Sequence, residues 1–477
     1  MYKVVIGLEV HCELETKTKN FSFAPNSFSD ISNDQVSAVD LGLPGILPLA
    51  NKQAVYDSIL TSLALNCKIP DEVIFDRKNY FYPDLPKGYQ ITQNTKPMGV
   101  DGYLDILVND KIKRIYIHDL HLEEDTASLE HYPKYSLIDY NRSGVPLMEI
   151  VTTPCISSAD EAVAFLEELK DIFLYLGVSR ARSDLGQMRC DVNISLMDED
   201  AKELGTKVEM KNINAFNNVR LAIEYEIKRQ SKLLDEGKKV VQETRRIAED
   251  GKTYSMREKV DALDYKYFIE PNIPSTPITD ELLNEIKAKL PELKMERYNK
   301  YINEYKIDKE STLTIIKNKD IADYFEKVIS NGADIDIAVN LMTTSILSTL
   351  NKTETTIDEL FIRENMLSDL VKLVSQNKLS LDASKKLLYE AIKEKISPIE
   401  IFNKNNLDQI SDKDELLNII RDLMKDDKMV LEYINNDNKG AINYFIGKVM
   451  KSTNRRANPN MSKDIIISEL ERMKNNG

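Results

Sequence analysis

Residues Val4–Glu15 read VVIGLEVHCELE. In an extended strand alternate side chains share a face. Val4, Ile6, Leu8 and Val10 then turn one way, into a core, while Glu9, His11 and Glu13 turn the other way together. Two carboxylates flanking an imidazole on one sheet face suit a hard cation such as Mg²⁺. A half-exposed edge strand with a solvated polar face has the same pattern.

Three further segments have two faces of this kind. Ile115–Asp125, IYIHDLHLEED, ends in consecutive acids that repel one another unless a cation or basic group neutralises them. A helix start or a solvated turn also accounts for such a triplet. In Met188–Leu196, MRCDVNISL, Arg189, Asp191 and Asn193 alternate with Cys190, Val192 and Ile194. In Thr206–Asn212, TKVEMKN, Lys207, Glu209 and Lys211 oppose Val208 and Met210. Lysines beside a carboxylate suit phosphate oxygens near a metal, and surface ion pairs read the same way. The four polar faces together fit one shared cleft.

Two loops join them. Arg77–Pro83, RKNYFYP, interleaves basic groups with aromatics, as stacking on a nucleotide base or a tRNA end requires, or as core packing of Tyr and Phe would. Asp139–Pro146, DYNRSGVP, suits close backbone approach to a ligand or an ordinary turn.

Around these segments, residues 1–290 mix β-branched runs, turn signals and two clear helices, an α+β pattern. One helix is expected over about 158–176, with Ser158 as N-cap, Glu161 three residues on and Gly177 past its end. The other covers about 215–236, opened by Asn214 and closed by Gly237. Pro271, Pro274 and Pro277 mark a plausible exit from this unit. A helical domain over 291–405 and a small helical tail over 406–477 follow.

The chain has 477 residues, 42% hydrophobic and 30% charged, which excludes disordered and collagen-like classes. Its cysteines (Cys12, Cys67, Cys155 and Cys190) are widely spaced, against a thiolate zinc site and in keeping with a reducing compartment. No apolar run reaches membrane-spanning length, and acids stand where a signal peptide needs a basic and an apolar region. The expectation is a cytoplasmic protein with no membrane partner. No GxxxxGK[ST] motif occurs, so there is no P-loop nucleotide site, and with no GxSxG, no amidase-type Gly/Ser-rich run and no cysteine in a glutaminase context, ammonia, if used, must come from a partner. The net charge of −14 argues against a general nucleic-acid coat. From Lys439 to Gly477, however, eight basic residues face three acids, a local charge of +5. Lys448, Lys451, Arg455 and Arg456 are the candidate phosphate contacts, with solvated helix charges as the alternative.

In order, IGLEVHCEL, LGLPGILPLAN, FDRKNYFYPDLPKGYQITQ, HLEEDTA, DYNRSGVPLMEIV, MRCDVNISL, GTKVEMKNINAF, YEIKRQ, QETRR and DYKYFIEPNIP resemble the B-subunit family of aspartyl/glutamyl-tRNA(Asn/Gln) amidotransferases, and KVMKSTNRRANP extends the likeness into the tail. The resemblance implies a cradle-like catalytic domain, a helical domain and a tRNA-binding tail. It implies ATP- and Mg²⁺-dependent phosphorylation of the side-chain carboxylate of misacylated Asp-tRNA or Glu-tRNA. Amidation follows, with ammonia from a glutaminase A subunit, in a heterotrimer completed by a small C subunit. Glu9, His11, Glu124, Asp191 and Glu209 match the family's Mg²⁺ cluster, with Glu124 preferred to Glu123 by position. Lys78, Arg189 and Lys211 are implied to contact ATP phosphates or the aminoacyl carboxylate, beside His11 and Glu124 as catalytic groups. Where many members carry a four-cysteine zinc site this chain has Ser22, Ala24, Ser37 and Asp40, so no zinc is expected. Val260, Ile269 and Asn272 also depart from the family pattern. A non-catalytic tRNA-binding scaffold and a free-standing Mg²⁺-dependent nucleotide hydrolase are the competing functions.

Overall fold

The alternation of Val4–Glu15 is realised in the computed structural model, which describes residues 2–258, 264–405, 410, 412–425, 427–436, 438–453 and 456–476. The chain divides into two units, Met1–Met295 and Glu296–Gly477. The first is built on an eight-stranded sheet. In chain order its strands are β1 (Tyr2–Glu13), β2 (Gly99–Val108), β3 (Lys111–Glu124), β4 (Pro146–Thr152), β5 (Met188–Asp198), β6 (Val208–Ile213), β7 (Glu243–Ile247) and β8 (Thr253–Glu258). Across the sheet they run β8-β7-β6-β5-β1-β4-β3-β2. All neighbours are antiparallel except the parallel pair β6 and β7.

One face of this sheet is the core. Ile6, Leu8, Val10 and Cys12 of β1, Cys190, Val192 and Ile194 of β5, and Val208 and Met210 of β6 are buried there. They pack with helices α1 (Lys52–Ala64), α2 (Ala159–Leu176) and α3 (Phe216–Asp235). Each fully buried Leu, Ile or Phe contributes about 1.5–3 kcal/mol. Strands β2, β3 and β4 add Leu104, Ile106, Ile115, Ile117, Leu120, Leu122, Met148 and Ile150 to the same cluster, so six strands and three helices cover this face and the charged side chains stand on the other.

Helix α2 starts and stops as its sequence dictates. The Ser158 hydroxyl accepts the Glu161 N–H, and Gly177 ends the helix at φ 66°, a left-handed conformation that costs glycine nothing. Helix α3 corrects an expectation. Its N-cap is Ala215, without a side-chain hydrogen bond, rather than Asn214. The 270–277 segment is also no exit. Glu270 is fully buried, Thr276–Pro277 pairs with Glu72–Val73, and Ile286 of the following helix lies in the first unit's core.

The second unit holds two apolar clusters, one from Tyr301 to Phe402 and one from Leu416 to Leu470. The expected junction at 405/406 adjoins residues 406–409, outside the described residues. All four cysteines are free. Among the described residues no helix is long and apolar enough to cross a membrane.

Candidate active site

Strand register sets the polar face. His121 of β3 opposes Glu149 of β4, Glu149 opposes His11 of β1, and His11 opposes Arg189 of β5. Two residues along, Glu9 opposes Asp191. Side chains directly opposite on adjacent strands are ~5 Å apart at Cβ, so the register alone brings imidazoles, carboxylates and a guanidinium into one patch.

At its centre Glu9, His11 and Glu149 each direct one donor atom to a common spot, all within 4.8 Å of one another. The His11 Nε2 lies 3.1 Å from Glu149 Oε2 and 3.7 Å from Glu9 Oε1. His121 Nε2 lies 3.1 Å from the other oxygen, Glu149 Oε1. Burial opposes charge on His11, but the hydrogen bond and charge of Glu149 outweigh it and push its pKa up to about 9. His121 is pushed up to about 9 against burial, mainly by Glu149. Glu149 is buried too, yet the two imidazoles hold it well below the ordinary carboxylate range. Burial and the neighbouring Glu149 push Glu9 up to about 7. Carboxylates this close call for a cation between them.

In the acidic triplet at the end of β3, Glu124 and Asp125 each pair with a cation of their own, and among the described residues Glu123 does not. Glu123 accepts from the Thr92 hydroxyl at 3.1 Å and faces the charges of Lys78 and His11. Glu124 holds the Lys87 ammonium at 2.5 and 2.6 Å and accepts the Ile91 N–H. Asp125 accepts from Arg189 at 2.8 Å, with Arg142 at 3.6 Å. Adjacent strand residues point to opposite faces, so the structure groups Glu123, and not Glu124, with His11. Glu124, preferred from the resemblance, is engaged by Lys87 on the other side of the strand.

Of the other expected site residues, Lys78 reaches the patch from the strand Asp76–Asn79, its ammonium 5.0 Å from the Tyr265 ring centre. Burial disfavours its charge, but Glu123 and other neighbours raise its pKa. Lys211 lies 2.9 Å from Asp191 and 3.5 Å from Glu209. Asp191 also accepts the Asn212 N–H, and Glu209 accepts the Thr244 hydroxyl. Asp191 and Glu209 therefore cradle Lys211 on the strands beyond β1, while Glu9 and His11 meet Glu149. Glu149, His121 and Lys87 were not among the expected residues. Glu149 did carry a signal, as the one acid within the apolar strand PLMEIVT.

The two loops divide. Arg77 is structural, bound by Glu270 and stacked 4.2 Å over Tyr89, while Phe81 is 91% exposed. The 139–146 loop is a braced turn. Asn141 accepts the Gln35 N–H and donates to Ile31, and Arg142 donates to the carbonyls of Thr126 and Ala127. Ser37 and Asp40 hydrogen-bond each other at 2.9 Å, and Asp40 pairs with the buried Lys19.

A family model described as the GatB/GatE catalytic domain matches residues 4–284, and a GatB domain model matches residues 323–470. The chain is 41% identical over 473 residues to the B subunit of the aspartyl/glutamyl-tRNA(Asn/Gln) amidotransferase of Geobacillus thermodenitrificans, covering 99% of each chain. Its counterpart of the same name from Persephonella marina is 42% identical over 472 residues, 98% of this chain and 100% of its own. That from Halalkalibacterium halodurans is 40% identical over 473 residues, 99% of each. The chain belongs to this family.

The catalytic-domain match includes the whole polar patch, and the second match includes most of the basic tail. In that tail Lys448 is held by Asp427 at 2.5 Å and lies 5.3 Å from the Tyr444 ring centre. Lys451 is exposed. The Arg456 carbonyl accepts the Ile410 N–H at 2.7 Å. Arg455 lies outside the described residues.

Proposed function

We propose that this chain works as the B component of a glutamine-dependent, ATP-using ligase that makes Asn-tRNA(Asn) and Gln-tRNA(Gln). Its own step is phosphorylation of the side-chain carboxylate of the misacylated Asp-tRNA or Glu-tRNA. The observation that carries this reading is the convergence of Glu9, His11 and Glu149 on one spot, on a sheet face that also carries Arg189 and Lys211.

Two carboxylate oxygens and an imidazole nitrogen form a donor set suited to Mg²⁺ that keeps several waters. The mutual repulsion of Glu9 and Glu149 is the stress such an ion relieves. When bound, it supplies neutralisation of the phosphate oxygens. Glu9, His11 and Glu149 would hold it, with Glu123 alongside.

A carboxylate is a poor acyl donor. Its oxygen attacks the γ-phosphorus of ATP and ADP leaves, giving an acyl phosphate on the tRNA-borne side chain. Ammonia then attacks the acyl carbon, the C–O bond to phosphate breaks, and the extra proton passes to the medium. Positioning and charge stabilisation dominate such phosphoryl transfers. Lys78, Arg189 and Lys211 supply that charge. Arg189 is oriented by Asp125, and Lys211 by Asp191 and Glu209.

Ammonia comes from a partner glutaminase A subunit, and a small C subunit completes a cytoplasmic heterotrimer. Lys448, Lys451, Arg455 and Arg456 contact the tRNA backbone. ADP release that depends on Glu-tRNA or Asp-tRNA tests the reading. Lys78→Ala and Lys211→Ala should raise the KM for ATP or lower kcat, and equal rates with and without misacylated tRNA would contradict it.

A further inference from the structure

Glu149 is gripped from both sides. Its strand β4 lies between β1 and β3, and the register sets His11 on one flank and His121 on the other. The two imidazoles take different oxygens, His11 Nε2 at Oε2 and His121 Nε2 at Oε1, both at 3.1 Å. His121 also lies beside an acid, without a hydrogen bond between them. Its Nδ1 lies 3.3 Å from Asp119 Oδ1, and Asp119 Oδ2 lies 2.5 Å from His118 Nδ1.

The two histidines are not equivalent. His11 Nε2 faces the spot shared with Glu9, so an ion there draws on the His11 lone pair and on a Glu149 oxygen. The Nε2 of His121 points at the far oxygen of the same carboxylate. A carboxylate that binds a cation through one oxygen is free to swing unless its second oxygen is held, and outer hydrogen bonds of this kind typically change metal affinity 10–100-fold.

We propose that His121 is a positioning residue that fixes the Glu149 carboxylate for cation binding through a hydrogen bond to its outer oxygen. It acts through Glu149 and does not itself touch the ion. This rests on the cation site proposed at Glu9, His11 and Glu149.

The test is direct binding of Mn²⁺ alone to the full chain, followed by the electron paramagnetic resonance signal of the free ion. Far-UV circular dichroism checks that each variant is folded. Glu149→Gln should lose the site. His121→Phe keeps ring volume without the donor and should weaken Mn²⁺ binding roughly 10–100-fold. His121→Gln restores an N–H near the Nε2 position and should recover most of that loss, and Asp119→Asn should weaken binding less than His121→Phe. Wild-type affinity in His121→Phe with loss in Glu149→Gln would overturn the role of His121 and leave the cation site standing. Complete loss in both His121→Phe and His121→Gln would make His121 a ligand, which also overturns the proposal. Wild-type affinity in Glu149→Gln would remove the cation site itself.

Discussion

Glu270 is the fully buried end of an ion pair with Arg77, at 2.5 Å and 2.9 Å, and it also accepts the N–H and amide of Asn272. Arg77 precedes Lys78 on a strand whose partners include Phe268 and Ile269, so the pair clamps the strand that delivers Lys78. Removing one member of a buried pair costs about 3–5 kcal/mol, because the remaining charge is stranded. Arg77 is 19% exposed and stays stacked on Tyr89, which places Glu270→Ala near the lower end, at about 3 kcal/mol. Burial opposes the Glu270 charge, but the Arg77 hydrogen bond outweighs it and lowers the pKa from 4.5. A depressed carboxylate stabilises above its ordinary value, so the contribution is present above pH 4.5 and is lost as pH falls below it. The assay is urea unfolding by far-UV circular dichroism at pH 7, on Glu270→Ala, Arg77→Ala and the double variant. A coupling of about 2–3 kcal/mol is expected; one below about 0.5 kcal/mol, the level of an exposed surface pair, would refute the clamp.

Asp57 in α1 is buried, which pushes its pKa from 3.8 to about 6, against a hydrogen bond from Gln53. A raised carboxylate destabilises the fold once ionised, so Asp57→Asn should raise Tm at pH 8, a gain on the order of 2 kcal/mol. That gain should shrink as pH falls through about 6 and vanish below 3.8. In the tail, Lys451→Ala should weaken tRNA binding and flatten the salt slope by about one charge. Lys448→Ala should do less, because Asp427 already holds that ammonium; equal effects in a filter-binding salt titration would contradict this difference.

What was legible in the sequence is local. The two-residue period of Val4–Glu15 gives both faces of β1, and Ser158, Glu161 and Gly177 bound α2, since each signal lies within a few residues. What was not legible is register. Glu149 meets His11 across 138 residues of chain, and no periodicity pairs PLMEIVT with VVIGLEVHCELE. For the same reason the triplet Glu123, Glu124 and Asp125 hid its cations Lys78, Lys87 and Arg189, all three on distant strands or loops. Pro271, Pro274 and Pro277 suggest a linker, but the buried Glu270 between Arg77 and Asn272 ties that stretch into the first unit. Asn214 is a favoured capping residue, yet the chain enters α3 one residue later.

The central claim is that the acyl-activating step belongs to this chain. The most direct measurement is amidation of Glu-tRNA and Asp-tRNA by the reconstituted complex, with ammonium replacing glutamine so that the glutaminase is bypassed. Wild type should form the amide with ATP and Mg²⁺, whereas His11→Ala and Glu149→Gln should form none with either nitrogen source while glutamine hydrolysis persists. Normal amidation by these variants would contradict the account and leave the chain a tRNA-binding scaffold.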